Sequence, residues 1–449
     1  MDDVITASGP RSGPGIRTYD DYHDDYSKMS NQEYDILVIG ATGYTGRLVI
    51  EYLTNHQRAP SLRIAIGGRT LSKVQELANK YKGVSSAYVD VSDESSVHKS
   101  VSKSRVVVNI AGPYWARGSI VVKACAVHSV HYVDLTGEAP WLAQIIQDYD
   151  YLAYKNRACI VPCSGYDCIP ADLAAYLAVQ GLEKQLSMSG APKPFQITST
   201  ASHHFKGGVS GGTIGSLFES IEEIPSDKRW NARGWALSPI RGTTRYSTLP
   251  NLLYSLPRIS PPVYGGIFFM SPINEPLVRR SWGLRERYRL ETEGSSATPS
   301  SFSYTEFMRT GGPVSGALLS LVLLFTTAAL TFLPPIRWVA KMLLPKSGEG
   351  PAPEVLDKGN FDITHVAEAG GIAVKSYVYG NGDPGYRLSS IMIVESALLL
   401  LDSSNLTPLG HQGGILTPTV AFGDKLVEAL RSTGRFEIST EVLESRKMR

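Results

Sequence analysis

An apolar run, "YDILVI" (Tyr34–Ile39), leads directly into "GATGYTGR" (Gly40–Arg47), and an apolar-periodic stretch, "LVIEYLTN", follows. Three glycines in seven residues, set between a strand pattern and a helix pattern, restrict the fold more than any other feature of the chain. In that setting the first glycine serves a tight turn. The second lets backbone approach a pyrophosphate, and the third lets helix and strand pack closely. The helix start offers unpaired N–H groups and the positive end of its dipole to the phosphates. Gly40, Thr42, Gly43, Tyr44, Thr45 and Gly46 are therefore expected to form a dinucleotide cradle.

The same rhythm continues downstream. "LRIAIGG", "SSAYVDV", "RVVVNIAGP", "VHYVDLTG" and "ACIVPCSG" read as strands, with helix-spaced segments between them. Strands alternating with helices predict a doubly wound parallel sheet over residues 34–165. Its second strand refines the cofactor. An NAD site places an acid there to hold the ribose 2′-hydroxyl. This strand ends "AIGGRT", without an acid, and Arg69 supplies a fork suited to a 2′-phosphate, with Ser72 and Lys73 close behind. NADP(H) is expected over NAD(H). Asp90 and Val91, after the third strand, are expected beside the adenine. Asn109, Ala111 and Gly112, after the fourth, are expected beside the nicotinamide ribose.

A chain of 449 residues exceeds one ordinary core. After about Gly165 the alternation breaks, which divides the chain into a polar tail (1–33), a nucleotide domain (34–165), a substrate domain (166–383) and C-terminal helices returning to the first domain (384–449). The tail carries seven acids against three bases and has neither the apolar core of a secretory signal nor the charge of a mitochondrial presequence; it is expected to be disordered. Residues 225–300, rich in Pro, Arg and aromatics, give no ordered pattern. The net charge of +2 argues against nucleic acid as a partner, and "RRSWGLRERYR" (Arg279–Arg289) reads as a solvated or membrane-facing surface. Cys125, Cys159, Cys163 and Cys168 match no zinc or secreted-disulfide spacing and read as buried, reduced thiols; no metal is expected. Thr310–Ile336 runs 27 residues without a charge. That length fits a bilayer span, a monotopic hairpin or a buried helix. Membrane contact on the cytosolic face, at the endoplasmic reticulum or a lipid droplet, is the expectation, and a homodimer is compatible with it.

"AGPYWARGSIVVKACAVHSVHYVDLTGE", taken with "GATGYTGR", "SGYDCIPADLAA", "GGVSGGTIGS" and "GGILTPTVAFGDKLVEAL", resembles the saccharopine dehydrogenase-like oxidoreductases, in the branch that includes bacterial trans-acting enoyl reductases and their eukaryotic relatives. The likeness runs from Tyr34 to Gly434. It implies an α/β fold: an N-terminal Rossmann domain, a second α/β (α+β) domain for the substrate, and last helices packing back on the first. It also implies NADPH-dependent reduction of an enoyl or related group on a lipid or glycolipid intermediate, with lipid droplets and membranes as the setting of eukaryotic members. Saccharopine dehydrogenase itself handles a substrate with several carboxylates, which calls for convergent arginines; the matching motifs hold no such set.

The cofactor supplies a hydride, so the protein must orient the substrate and supply a proton. Candidates at the carboxyl edge of the sheet are Tyr114, Asp134, Glu138, Tyr166 and Asp167, with His203 and His204 from the second domain. A buried tyrosine donates at neutral pH without any shift, its ordinary pKa being about 10. Tyr166 is the preferred donor and Asp134 the second catalytic candidate. Other classes remain: a cysteine mechanism on Cys163 without the "NPGC"-type turn it needs, a Tyr151/Lys155 pair one unit too late in the sheet, and a membrane-bound, NADPH-binding scaffold without catalysis.

Overall fold

The computed structural model describes residues 32–191, 193–208, 218, 220–243, 251–294, 297–343 and 350–443. Most of the tail (1–31) and most of "GGVSGGTIGS" lie outside the described residues.

The first sheet is built from β1 (Tyr34–Ile39), β2 (Ile64–Gly68), β3 (Val84–Tyr88), β4 (Ser104–Asn109), β5 (His131–Asp134) and β6 (Cys159–Val161). All are parallel, in the order β6-β5-β4-β1-β2-β3. The central strands are continuous apolar runs because helices cover both faces. Those helices are α1 (Tyr44–Asn55), α2 (Leu71–Ala78), α3 (Glu94–Val101), α4 (Tyr114–His128) and α5 (Ala139–Lys155). Since β1 lies between β4 and β2, the strand order reverses there, and a crevice opens at the carboxyl ends of β1 and β4.

The second sheet packs under α6 (Ile169–Met188). It contains β7 (Gln196–Lys206), β8 (Tyr254–Ser255), β9 (Tyr264–Gly266), β10 (Ser301–Arg309), β11 (Asn360–Ala369) and β12 (Ile372–Asn381). Only β7 and β10 run parallel in it; the other pairs are antiparallel. A long helix, α7 (Ser271–Glu293), orders much of the stretch that the sequence leaves unread. Its arginines correct the surface reading of Arg279–Arg289. Arg279 and Arg280 are buried: the first bonds Glu275 and the Tyr304 carbonyl, and the second donates to the Leu237 and Ile415 carbonyls. Arginine tolerates this because its fork finds carbonyl and carboxylate acceptors as it leaves water.

The uncharged run forms α8 (Pro313–Phe332), followed by a second helix, α9 (Pro334–Leu343). Only 11% of the α8 span is buried, and Val314 and Phe325 are 81% and 74% exposed, which excludes the buried-helix alternative in this structure.

The C-terminal segment is less uniform than a set of returning helices. α10 (Ser389–Leu400) does lie on α1, where Glu395 accepts from the Tyr52 hydroxyl at 2.7 Å. Two strands interrupt the helical reading. β13 (Gly414–Ile415) adds a seventh parallel strand beside β6, and β14 (Phe436–Leu443), which follows α11 (Asp424–Ser432), closes the free edge of β12. In β14 the alternation of buried Phe436 and Ile438 with exposed Glu437 is a period of two, the signature of a half-covered strand.

Candidate active site

Two helix N-termini face the crevice, and they differ in what covers them. At α4 the Glu138 carboxylate accepts from the N–H groups of Tyr114 and Trp115 at 2.9 and 2.7 Å. At α1 the residue before the helix is Gly43, no side chain caps it, and its first turn holds no acid. The positive end of α1 is thus the one left for an anion.

The three glycines there answer to different needs. Gly40 has φ +87°, and a Cβ on it would sit 2.8 Å from the Ile110 carbonyl carbon. A Cβ on Gly46 would sit 2.3 Å from the Gly40 oxygen. Protein atoms forbid a side chain at both. A Cβ on Gly43 would meet only the Gly40 oxygen, at 3.4 Å. The chain itself does not require glycine at 43, and among the described residues the space beside it is open. Thr42 and Gly43 are exposed, Thr45 is half-buried, and Tyr44 turns its hydroxyl to the Pro351 carbonyl and its ring edge to Tyr386.

Arg69 is exposed just past β2. Asp90 binds the Ser92 N–H and hydroxyl, which hold its carboxyl below the usual range, with Arg69 and Arg117 adding to the pull. Arg117, one turn into α4, is a cation that the motif reading missed, because nothing in the sequence shows that α4 brings it toward the ends of β2 and β3. Val91 packs beside Asp90 against the core. We expect Arg69→Ala to weaken NADPH roughly 10- to 100-fold and leave NADH unchanged, as read by nucleotide fluorescence titration. Equal losses for both nucleotides would show that Arg69 does not meet the 2′-phosphate.

Asn109 is turned inward. It donates to the Tyr132 hydroxyl at 3.1 Å, and its Oδ1 accepts from Ala111 N–H at 3.1 Å. It shapes the loop and leaves Ala111 and Gly112 at the crevice wall. Asp134 is also spent on the protein: its oxygens accept from the N–H groups of Thr136 and Cys163, both at 3.0 Å, and from the Tyr132 hydroxyl at 2.8 Å. Tyr114 likewise donates to the Asn109 carbonyl and accepts from Leu135 N–H.

Burial pushes the Asp134 carboxyl up to about 7 against the pull of these hydrogen bonds. The folded protein therefore holds a proton that the unfolded chain releases. The stability from this site is full below the ordinary value of 3.8 and is lost as pH rises toward about 7. Asp134→Asn keeps an acceptor for the two N–H groups and has no proton to lose. Its stability should stay flat across that window and exceed wild type by about 2 kcal/mol above neutrality. Chemical denaturation as a function of pH checks this; parallel curves for the two proteins would refute it.

Tyr166 follows β6, and its N–H donates to Ser389 at the start of α10. Its side chain is 8% exposed, and among the described residues its hydroxyl has no hydrogen-bond partner. Burial, then the carboxylates of Asp167 and Glu306, push that hydroxyl well above the ordinary tyrosine value, so it stays protonated. An unpartnered buried hydroxyl costs about 1–3 kcal/mol, and a donor kept at that cost is one that awaits a partner. Next to it, the carboxyl of largely buried Asp167 is pushed up to about 7 by burial.

The second sheet faces Tyr166 with aromatic rings and a buried polar cluster. Phe361 and Phe205 lie 5.2 and 6.2 Å from its ring. Beyond them His203 reaches Glu306 at 3.0 Å, and Glu306 also accepts from Tyr304 and Asn274 at 2.8 and 3.1 Å. β7 and β10 run in parallel register with these residues on one face, which no local motif could reveal. His204 instead pairs with Asp362. Cys163 is fully buried, and burial raises its thiol, so the cysteine mechanism loses its nucleophile. Tyr151 is 76% exposed and far from a Tyr-Lys catalytic setting. Among the described residues no group of three His, Cys, Asp or Glu is placed to hold a metal.

The profile of the saccharopine dehydrogenase NADP binding domain matches residues 36–161, so this domain binds NADP(H). A Mycobacterium tuberculosis protein, provisionally named a trans-acting enoyl reductase, is 31% identical over 430 residues, covering 90% of this chain and 96% of that one. The trans-acting enoyl reductase of Mycobacterium bovis is 27% identical over 427 residues, covering 90% and 97%. Among solved structures, apo saccharopine dehydrogenase (L-Glu forming) from Saccharomyces cerevisiae aligns over 92% of this chain and 100% of that one, with 12% identity and a TM-score of 0.48. With a doubly wound NADP(H) domain and relatives matched over nearly their whole length, the chain is an NADP-dependent oxidoreductase and belongs to the saccharopine dehydrogenase-like family, on the side of the trans-acting enoyl reductases.

Proposed function

We propose that this oxidoreductase reduces an enoyl or related group on a lipid- or glycolipid-type substrate, at the cytosolic face of a membrane or on a lipid droplet. The observation that carries the reading is α8, an uncharged helix of 20 residues that the fold leaves almost wholly outside its core. That length matches a bilayer's hydrocarbon thickness. Arg337 and Lys341 on α9 are engaged within the protein: both meet Glu222, and Arg337 also donates to the Leu330 and Thr331 carbonyls at the end of α8, so the reading rests on the uncharged helix itself. The relatives' names supply the enoyl chemistry.

When bound in this domain, NADPH would supply the hydride for one carbon of the double bond. Tyr166 gives the balancing proton to the other and recovers it from water. Asp134 and Asn109 fix the loops that carry the substrate-facing backbone, and Glu138 fixes the start of α4. Nucleic acid has no part in this reading; a second copy of the chain is compatible with it.

The test is turnover by the full chain in phosphatidylcholine vesicles carrying a long-chain trans-2-enoyl ester. NADPH consumption with appearance of the saturated ester is the expected result. NADPH binding without turnover on any enoyl lipid would favour the scaffold alternative. Turnover by protein that does not float with vesicles would remove the membrane setting.

A further inference from the structure

The root of α8 is joined to the body with unusual closeness. A Cβ on Gly316 would lie 2.7 Å from the Gly265 oxygen, and one on Gly266 would lie 2.3 Å from the Gly316 oxygen. The helix backbone therefore rests directly on β9. Ser320, one turn on and fully buried, donates to the Leu252 carbonyl at 2.7 Å and accepts from Ile267 N–H at 2.9 Å. A tether that served only to hold the protein on a membrane would need no such joint.

The residues immediately after this joint lead to the candidate active site. Phe268 stacks on His203 at 4.5 Å, inside the core. Phe269 stands 55% exposed, beside the root of an exposed apolar helix. Its ring lies 5.7 Å from Phe205, which lies 6.2 Å from Tyr166. Three rings thus step from solvent at the foot of α8, through half-buried Phe205, to the unpartnered hydroxyl of Tyr166. An exposed phenylalanine at one end and, among the described residues, an unsatisfied donor at the other make this a continuous line of apolar ring contacts with a polar tip, along which an acyl chain would have to displace the Phe205 ring. We infer that this is the entry path of the substrate's acyl chain, drawn from the bilayer at Phe269 and threaded past Phe205, with α8 holding the mouth at the lipid surface. The inference rests on the membrane reading above and adds the route.

Photolabelling tests it. The full chain with NADPH is bound to phosphatidylcholine vesicles containing a diazirine-bearing palmitate, irradiated, and mapped by peptide mass spectrometry. The expected adducts fall on α8 and also on Phe269 and Phe205. In Phe269→Ser, labelling at Phe205 should fall roughly tenfold, while labelling of α8 and NADPH affinity stay as in wild type. Phe269 is exposed, so the substitution leaves the core intact; Gly316→Leu, which forces the joint apart, should give the same loss at Phe205. Adducts on α8 with none at Phe269 or Phe205 would overturn the entry path and leave the membrane reading standing. Absence of adducts on α8 would overturn both.

Discussion

Tyr166→Phe should lower kcat for enoyl reduction by about 10²- to 10⁴-fold, the usual worth of a positioned general acid. NADPH affinity should not change. The fold should gain rather than lose stability, by about 1 kcal/mol, because the hydroxyl removed bonds to nothing among the described residues and its burial is a cost. This combination separates a proton donor from a structural tyrosine. A structural hydroxyl such as that of Tyr132, held between Asn109 and Asp134, would cost stability when removed. Steady-state kinetics with thermal denaturation reads both quantities, and deuterium taken from solvent into the product reports the proton step itself. Wild-type kcat in Tyr166→Phe would return the proton to water and remove the residue from the chemistry. Since burial holds the hydroxyl protonated well beyond neutrality, its titration should place no fall in rate near neutral pH. A limb there belongs to the carboxyls of Asp134 and Asp167, both of which burial pushes up to about 7.

What could be read ahead of the structure follows the range over which each signal acts. The dinucleotide half was legible because its information is local: a strand, three glycines, a helix, and an arginine where an acid would otherwise stand. The position of Tyr166, though not its role, was legible because it follows the sixth strand. The second sheet was not. β11 carries His365 at a fully buried position, which breaks its apolar alternation, and β13 is two residues whose strand character exists only through pairing with Cys159 and Ile160. His203 and Glu306 lie 103 residues apart and meet only through the register of β7 and β10. Arg279 and Arg280 misled for a related reason. Charge in a sequence reads as surface, and only the packed helix shows the carbonyls that receive them.

The second large effect separates what the cradle does for the protein from what it does for the ligand. Gly46→Ala places a methyl 2.3 Å from the Gly40 oxygen and 2.7 Å from Ala41, all backbone atoms that cannot step aside. That protein should lose about 2–3 kcal/mol or more of stability and bind nucleotide poorly as a consequence. Gly43→Asp should do the reverse. φ at Gly43 is −68°, ordinary for any residue, and nothing else fills the space beside it. An aspartate before the first turn caps N–H groups and complements the dipole of α1, so the free protein should be slightly more stable, by about 0.5 kcal/mol. The same carboxylate occupies and repels the position of the pyrophosphate, and NADPH affinity should fall at least about 100-fold. Thermal denaturation without nucleotide, paired with NADPH titration, distinguishes the two glycines. If Gly43→Asp bound NADPH as wild type does, the phosphates would lie elsewhere in the crevice. The exposed glycine at 43 would then be a feature of the turn, with no ligand to explain it.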